Sequence, residues 1–119
     1  MARLDPSVFL PLKTDVVFVM MALDARPLHG YAIIRDVSER SAGEVELQAG
    51  ALYRTLRRLL GDGLIVECDA PPGETSNDER RRYYRATALG KAVLEADVAR
   101  MQRLVQVART RRAGQERSA

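Results

Sequence analysis

The sequence has no tryptophan, a single cysteine, Cys68, and a single histidine, His29. One cysteine excludes an intrachain disulfide, and one histidine beside it excludes the clustered ligands of a zinc site. No metal and no cofactor is therefore expected. There is no histidine-centred triad, credible carboxylate pair or phosphate-binding loop either, which makes an enzyme the least favoured class. Long hydrophobic runs are missing too. The longest, residues 16–23, is too short to cross a bilayer. The first residues mix Arg3, Asp5, Lys13 and Asp15 and lack the charged-then-apolar order of a secretory signal. A lone thiol suits a reducing compartment, so the expected location is cytoplasmic, with no membrane partner.

Lysine is scarce as well. It occurs only at Lys13 and Lys91, so arginine supplies the rest of the 19 basic side chains. Guanidinium is planar, permanently charged and forked, and it suits phosphates and guanine edges. A GC-rich genome also enriches arginine, so position carries more weight than number. The net charge of +3 is small, and 46% hydrophobic with 29% charged residues is ordinary for a globular chain. At 119 residues one domain is expected, with room for an appended helix.

Residues 1–10 hold Pro6, show no clear period and read as an arm. Residues 12–23 are apolar on nearly all sides, with Thr14 or Asp15 as cap, and predict a helix buried on more than one side. Residues 26–30 read as a turn. A helix follows over residues 31–40, with Tyr31, Ile34, Val37 and Ser38 on one face. Gly43 suits a left-handed stop, and residues 44–47 read as a very short strand. Over residues 49–62, Leu52, Leu56, Leu59 and Leu60 keep an i, i+4, i+7, i+8 row, which predicts an amphipathic helix ended by Gly63. Residues 64–68 and 80–87 read as a hairpin, with Tyr83 and Tyr84 facing opposite ways. Thr87 is placed to cap a last helix that runs to about Thr110.

The expected fold class is mainly α with a small β-hairpin: a winged helix-turn-helix plus a C-terminal dimerisation helix. Residues 1–87 make the DNA-binding domain with its arm, residues 88–110 the dimerisation helix, and residues 111–119 a disordered tail.

A helix-turn-helix places its second helix in the major groove. Gly50 and Ala51 are small enough for close approach. Tyr53, Arg54 and Arg57 are long enough to reach base edges or phosphates, with Gln48 and Arg58 beside them. The plain alternative is a solvated helix face, but no acidic residue interrupts residues 48–61. Arg80, Arg81, Arg82 and Arg85 cluster on the return strand, where they can grip phosphates. Taken alone, they equally suit charge that protects an exposed edge strand. Together the two clusters predict one basic surface, with Tyr83 assigned to it. His29 reads as a capping or packing residue, with a phosphate contact as its second reading. Cys68 reads as a small core residue.

Leu94, Val98, Met101, Val105 and Ala108 recur at spacings 4, 3, 4, 3, a heptad row that seeks a partner helix. Packing on the chain's own core is the alternative, but so long a helix overshoots a winged domain of about 80 residues. Phe18, in the all-apolar first helix, joins this dimerisation set.

These segments resemble the PadR family of bacterial transcriptional regulators. The matching pieces are Pro27-Leu28-His29-Gly30-Tyr31, then Gly50-Ala51-Leu52-Tyr53 with Leu56, Arg58 and Leu59, then Gly63-Leu64-Ile65. The run Arg80-Arg81-Arg82-Tyr83-Tyr84-Arg85-Ala86-Thr87 with Gly90 completes the likeness, which spans residues 12–110. It implies a winged-helix domain, a C-terminal dimerisation helix and repression from a pseudo-palindromic operator. The single short C-terminal helix is similar to that of the smaller subgroup. Arg54 stands where the family often has proline, and Gln48-Ala49-Gly50 where it often has Ser-Pro-Gly. Some relatives hold planar drugs between tryptophans at the dimer centre, and this chain has no tryptophan.

The expected function is sequence-specific binding of double-stranded DNA by a homodimeric repressor. Two alternatives stay open. One is a ligand-responsive form with a small-molecule effector at the dimer interface. The other is a winged-helix protein-interaction module that binds no DNA.

Overall fold

Helix α1 (Thr14–Ala25) buries Val17, Val19, Met20, Ala22 and Leu23, side chains that point to several sides of one short helix. Such a helix needs neighbours all round. It finds them in α2 (Gly30–Arg40), β3 (Tyr83–Ala86) and α4 (Ala88–Ser118). The computed structural model describes residues 4–73 and 82–118. The arm is a single 3₁₀ turn, Pro6–Phe9, packed on α4. Neither Thr14 nor Asp15 caps α1. The cap position is Lys13, with no side-chain bond.

The buried stripe of α2 is Gly30, Ile33 and Val37, so Tyr31 points outward and is 76% exposed. That is one residue away from the expected face, because a glycine adds no hydrophobic signal to the pattern. His29 caps α2: its Nδ1 accepts from the Ala32 N–H at 3.2 Å. At the far end the Gly43 N–H donates to the Ser38 carbonyl at 2.8 Å, and Gly43 takes the left-handed conformation a helix stop requires.

Helix α3 (Ala49–Gly61) buries Leu52, Leu56 and Leu59 against α2 and β2 (Ile65–Cys68), as its leucine row predicts. The residues before it, 44–47, form no strand. The sheet's remaining strand is β1 (Leu28–His29), from the segment expected to be only a turn. The order is β1-β3-β2, all antiparallel, with Leu28 opposite Tyr84, His29 opposite Tyr83 and Glu67 opposite Tyr84. Tyr84 and Tyr83 do alternate, yet both are buried. Tyr84 enters the main core with Leu28. Tyr83, on the other face, packs edge-on against His29 with ring centres 5.3 Å apart. The third strand supplies the cover that a two-stranded wing lacks.

Thr87 caps α4, accepting from the Gly90 N–H at 3.0 Å and donating to the Gly63 carbonyl at 2.7 Å. One hydroxyl therefore ties the start of the last helix to the end of α3. Val93, Leu94 and Asp97 are buried, and Asp97 Oδ1 accepts from Arg100 Nε at 2.7 Å. From Gln102 to Gly114 every residue is exposed, and α4 continues past Thr110 as helix to Ser118.

Candidate nucleic-acid interface

The geometry of α3 decides where its charges point. Leu52, Leu56 and Leu59 take the core side, and at about 100° per residue Gly50, Arg54 and Arg57 fall opposite. Arg54, Arg57 and Arg58 are exposed, and among the described residues none has an ion-pair or hydrogen-bond partner. Arg54 folds back along the helix, its Nη1 3.8 Å from where a Cβ on Gly50 would stand. Gln48, at the cap position, makes no side-chain cap bond and is exposed; Ala51 is half-buried.

Tyr53 leaves α3 on one flank and is 49% exposed. Its hydroxyl would sit 2.8 Å from a Cβ on Gly30, so the bare glycine lets the tyrosine cross the start of α2. Tyr31, at that same end of α2, is the exposed aromatic that hydrophobic patterning missed. Its signal was the step from glycine to tyrosine at a helix start. The acids of α2 are met locally: Asp36 pairs with Arg40 at 2.7 Å and Glu39 with Arg35 at 3.6 Å.

The sheet meets α3 through β2. Burial pushes the Tyr84 phenol above its usual value; Glu67 and Tyr53 add to the shift and Arg82 opposes it. In the sheet Tyr84 stands opposite Leu28 on one side and Glu67 on the other. Arg82 is not a free cation, since its Nη1 lies 3.4 Å from Glu67 Oε1 in an exposed pair. Arg85 is exposed and pairs across the ladder with Val66, on the sheet face opposite Tyr84. Arg80 and Arg81 lie outside the described residues.

Two expected assignments change, those of Tyr83 and Leu94. Tyr83 is 2% exposed, so it cannot meet a duplex; it packs on His29, whose Nδ1 already caps α2. Arg58 lies on the flank of α3 away from Tyr53, beside a cleft under the arm. Leu94 is 6% exposed and belongs to the chain's own core, so it is not available to a partner helix. Phe18, Val98 and Met101 are partly buried against that core. Val105 and Ala108 do face outward. Leu104 and Val107, which the heptad row omitted, are 56% and 65% exposed. Met21 rather than Phe18 faces the far part of α4, lining an open hollow of about 680 Å³ with Val98, Met101 and Val105.

Helices α2 and α3, a wing on a three-stranded sheet and a long last helix define a winged helix-turn-helix of the DNA-binding regulator class. The model of the transcriptional regulator PadR-like family matches residues 19–96. The chain belongs to this family, whose members are regulators rather than enzymes. A PadR family transcription regulator from Clostridium difficile shares the fold with a TM-score of 0.67 and 26% identity, over 82% of this chain and 97% of that one. An uncharacterised protein of Lysinibacillus sphaericus is 31% identical over 80 residues, 67% of this chain and 70% of its own length. PadR of Bacillus subtilis, solved with operator DNA, has the same fold at a TM-score of 0.60 and 20% identity, over 72% of this chain and 46% of that one. Among the described residues no helix is long and apolar enough to cross a membrane.

Proposed function

We propose that this chain is a sequence-specific repressor that binds double-stranded DNA as a homodimer on a pseudo-palindromic operator in the cytoplasm. The observation that carries this reading is the pair Arg54 and Arg57, exposed on the outward side of α3 without a partner among the described residues, in a chain whose central strand is preceded by the exposed Arg82. With α3 in the major groove, Arg54 and Arg57 reach base edges, and Tyr53 and Tyr31 reach flanking phosphates. Arg82, with Arg80 and Arg81, holds the wing to the backbone. The operator complex of Bacillus subtilis PadR supports this reading. The dimer forms through the exposed half of α4, which puts two recognition helices about 34 Å apart.

The test is recovery of bound genomic fragments by the purified protein, followed by affinity titrations at several salt concentrations. Expected are inverted half-sites about one DNA turn apart, with affinity falling steeply as salt rises. A protein with no salt-dependent affinity for genomic DNA would instead be an interaction module.

The hollow between Met21 and α4 favours a second, compatible reading, an effector held at the dimer interface. Apolar compounds that raise the melting temperature of the dimer and loosen the operator complex would establish it. A broad library without such a compound would remove it.

A further inference from the structure

On the flank of α3 away from Tyr53, the arm and the start of α1 enclose a cleft of about 410 Å³. Its floor is apolar, with Phe9, Leu12 and the buried Leu59. Its rim carries Lys13 and Arg58 of one sign and Asp15 and Asp62 of the other. None of the four pairs with another. Arg58 and Asp62 are one helical turn apart, a spacing that ordinarily lets opposite charges meet. Asp15 is held by the backbone instead, its Oδ1 accepting from the Val16 N–H at 2.8 Å.

A ligand with a single charge would satisfy one pair of rim groups and face repulsion from the other. A ligand with both charges satisfies all four, and an apolar body covers the floor. The volume falls within the roughly 300–1,000 Å³ of small-ligand sites. We propose that this cleft binds a small zwitterion with an apolar body, the chemistry of an aliphatic or aromatic amino acid. Its ammonium faces Asp15 and Asp62, and its carboxylate faces Arg58 and Lys13. The site goes beyond the DNA reading and stands without it, because it is read from the protein alone.

The experiment is calorimetric titration of the full chain, without DNA, with L-leucine and L-phenylalanine. Isoamylamine and 4-methylpentanoate serve as single-charge probes of similar body. Expected is saturable binding of at least one amino acid and affinity at least ~10-fold weaker for both single-charge probes, a gap of about 1.4 kcal/mol. Asp62→Asn and Arg58→Gln should each weaken amino-acid binding at least ~10-fold, and Lys13→Gln less, since a guanidinium can hold a carboxylate with two parallel hydrogen bonds where an ammonium acts as a point charge. Thermal melts of the three variants check that each stays folded, and the single-charge probes test the proposal on the unaltered chain. No saturable heat with either amino acid up to about 10 mM, near 3 kcal/mol of binding, overturns the proposal. So does equal affinity for 4-methylpentanoate or isoamylamine, or unchanged binding in both Asp62→Asn and Arg58→Gln. DNA binding by a protein that fails here would leave the regulator reading intact.

Discussion

Gly90 lies so near Leu64 that a Cβ on it would stand 2.0 Å from the Leu64 carbonyl oxygen and 2.9 Å from Met20 Cε. The Leu64 oxygen also accepts from the Thr87 N–H at 3.0 Å, so it is tied in place. Glycine here lets α4 press on the chain that links α3 to the wing. Gly90→Ala must push the helix away, and overpacking of this kind costs about 1–3 kcal/mol, at the upper end when backbone is the obstacle. Gly61, by contrast, has nothing within 4 Å, so Gly61→Ala is expected to be neutral or to stabilise by about 0.5–1 kcal/mol. Urea unfolding of both variants checks the contrast, and equal midpoints would mean that α4 can slide.

Arg57 sits on the outward side of α3 and has no partner among the described residues. Arg57→Ala is expected to weaken the recovered operator by about 1–3 kcal/mol and random duplex by much less. Anisotropy titrations on both duplexes at one salt concentration measure this. An equal loss on the two would assign Arg57 to a phosphate.

Glu67 holds Arg82 in an exposed pair worth about 0–1 kcal/mol to the fold. It also brings a negative charge to the wing. Glu67→Gln is therefore expected to leave the melting temperature nearly unchanged while tightening binding to any duplex. The freed arginine should steepen the salt dependence by up to about one unit of slope. A log–log plot of affinity against salt for the two proteins reads this directly. Parallel lines of equal height would show that Arg82 stays clear of the DNA.

What was legible in the sequence follows from how many surfaces each element buries. The leucines of α3 pack one face of one helix, so their row marked both the helix and its outward arginines. Thr87 was readable as a cap because capping is local chemistry. Leu28 and His29 were not readable as a strand, since two residues have no period and their partner lies over fifty residues away. The tyrosines misled for a related reason. Alternation implies one wet face, but β1 adds His29 to the face that Tyr83 occupies. Arg58 looked equivalent to Arg54 and Arg57 until the arm was seen beside it.

Burial pushes the Cys68 thiol above its usual value; Arg85 opposes the shift and Asp69 adds to it. A raised value means less thiolate at a given pH. Alkylation at about pH 8 is thus expected to run slower in the native chain than in the unfolded one, with the gap closing as pH rises past the folded value. The neutral thiol is the form the fold favours. This small contribution is therefore present below the unfolded value and fades as pH climbs through the folded one. Rates of thiol modification with and without urea measure it. Equal rates at pH 8 would show that Cys68 is already open to solvent.

The heptad row of α4 joins two environments. Leu94 is in the core, while Leu104, Val105 and Val107 are exposed on the part of the helix that reaches beyond it. Hydrophobic periodicity is the same in both stretches, because a partner helix and the chain's own core ask for the same side chains. Cutting the chain after Thr87 would remove Val93 and Leu94 from the core, so it would test folding rather than assembly. The sharper variant is Leu104→Glu with Val107→Glu. Both side chains stand in solvent within one protomer, so helix content should persist while the proposed dimer dissociates. Leu94→Glu should instead bury a charge and unfold the domain at a cost of several kcal/mol. Sedimentation velocity together with circular dichroism separates the two outcomes. A Leu104→Glu/Val107→Glu protein that still sediments as a dimer at micromolar concentration would move the interface off this half of α4.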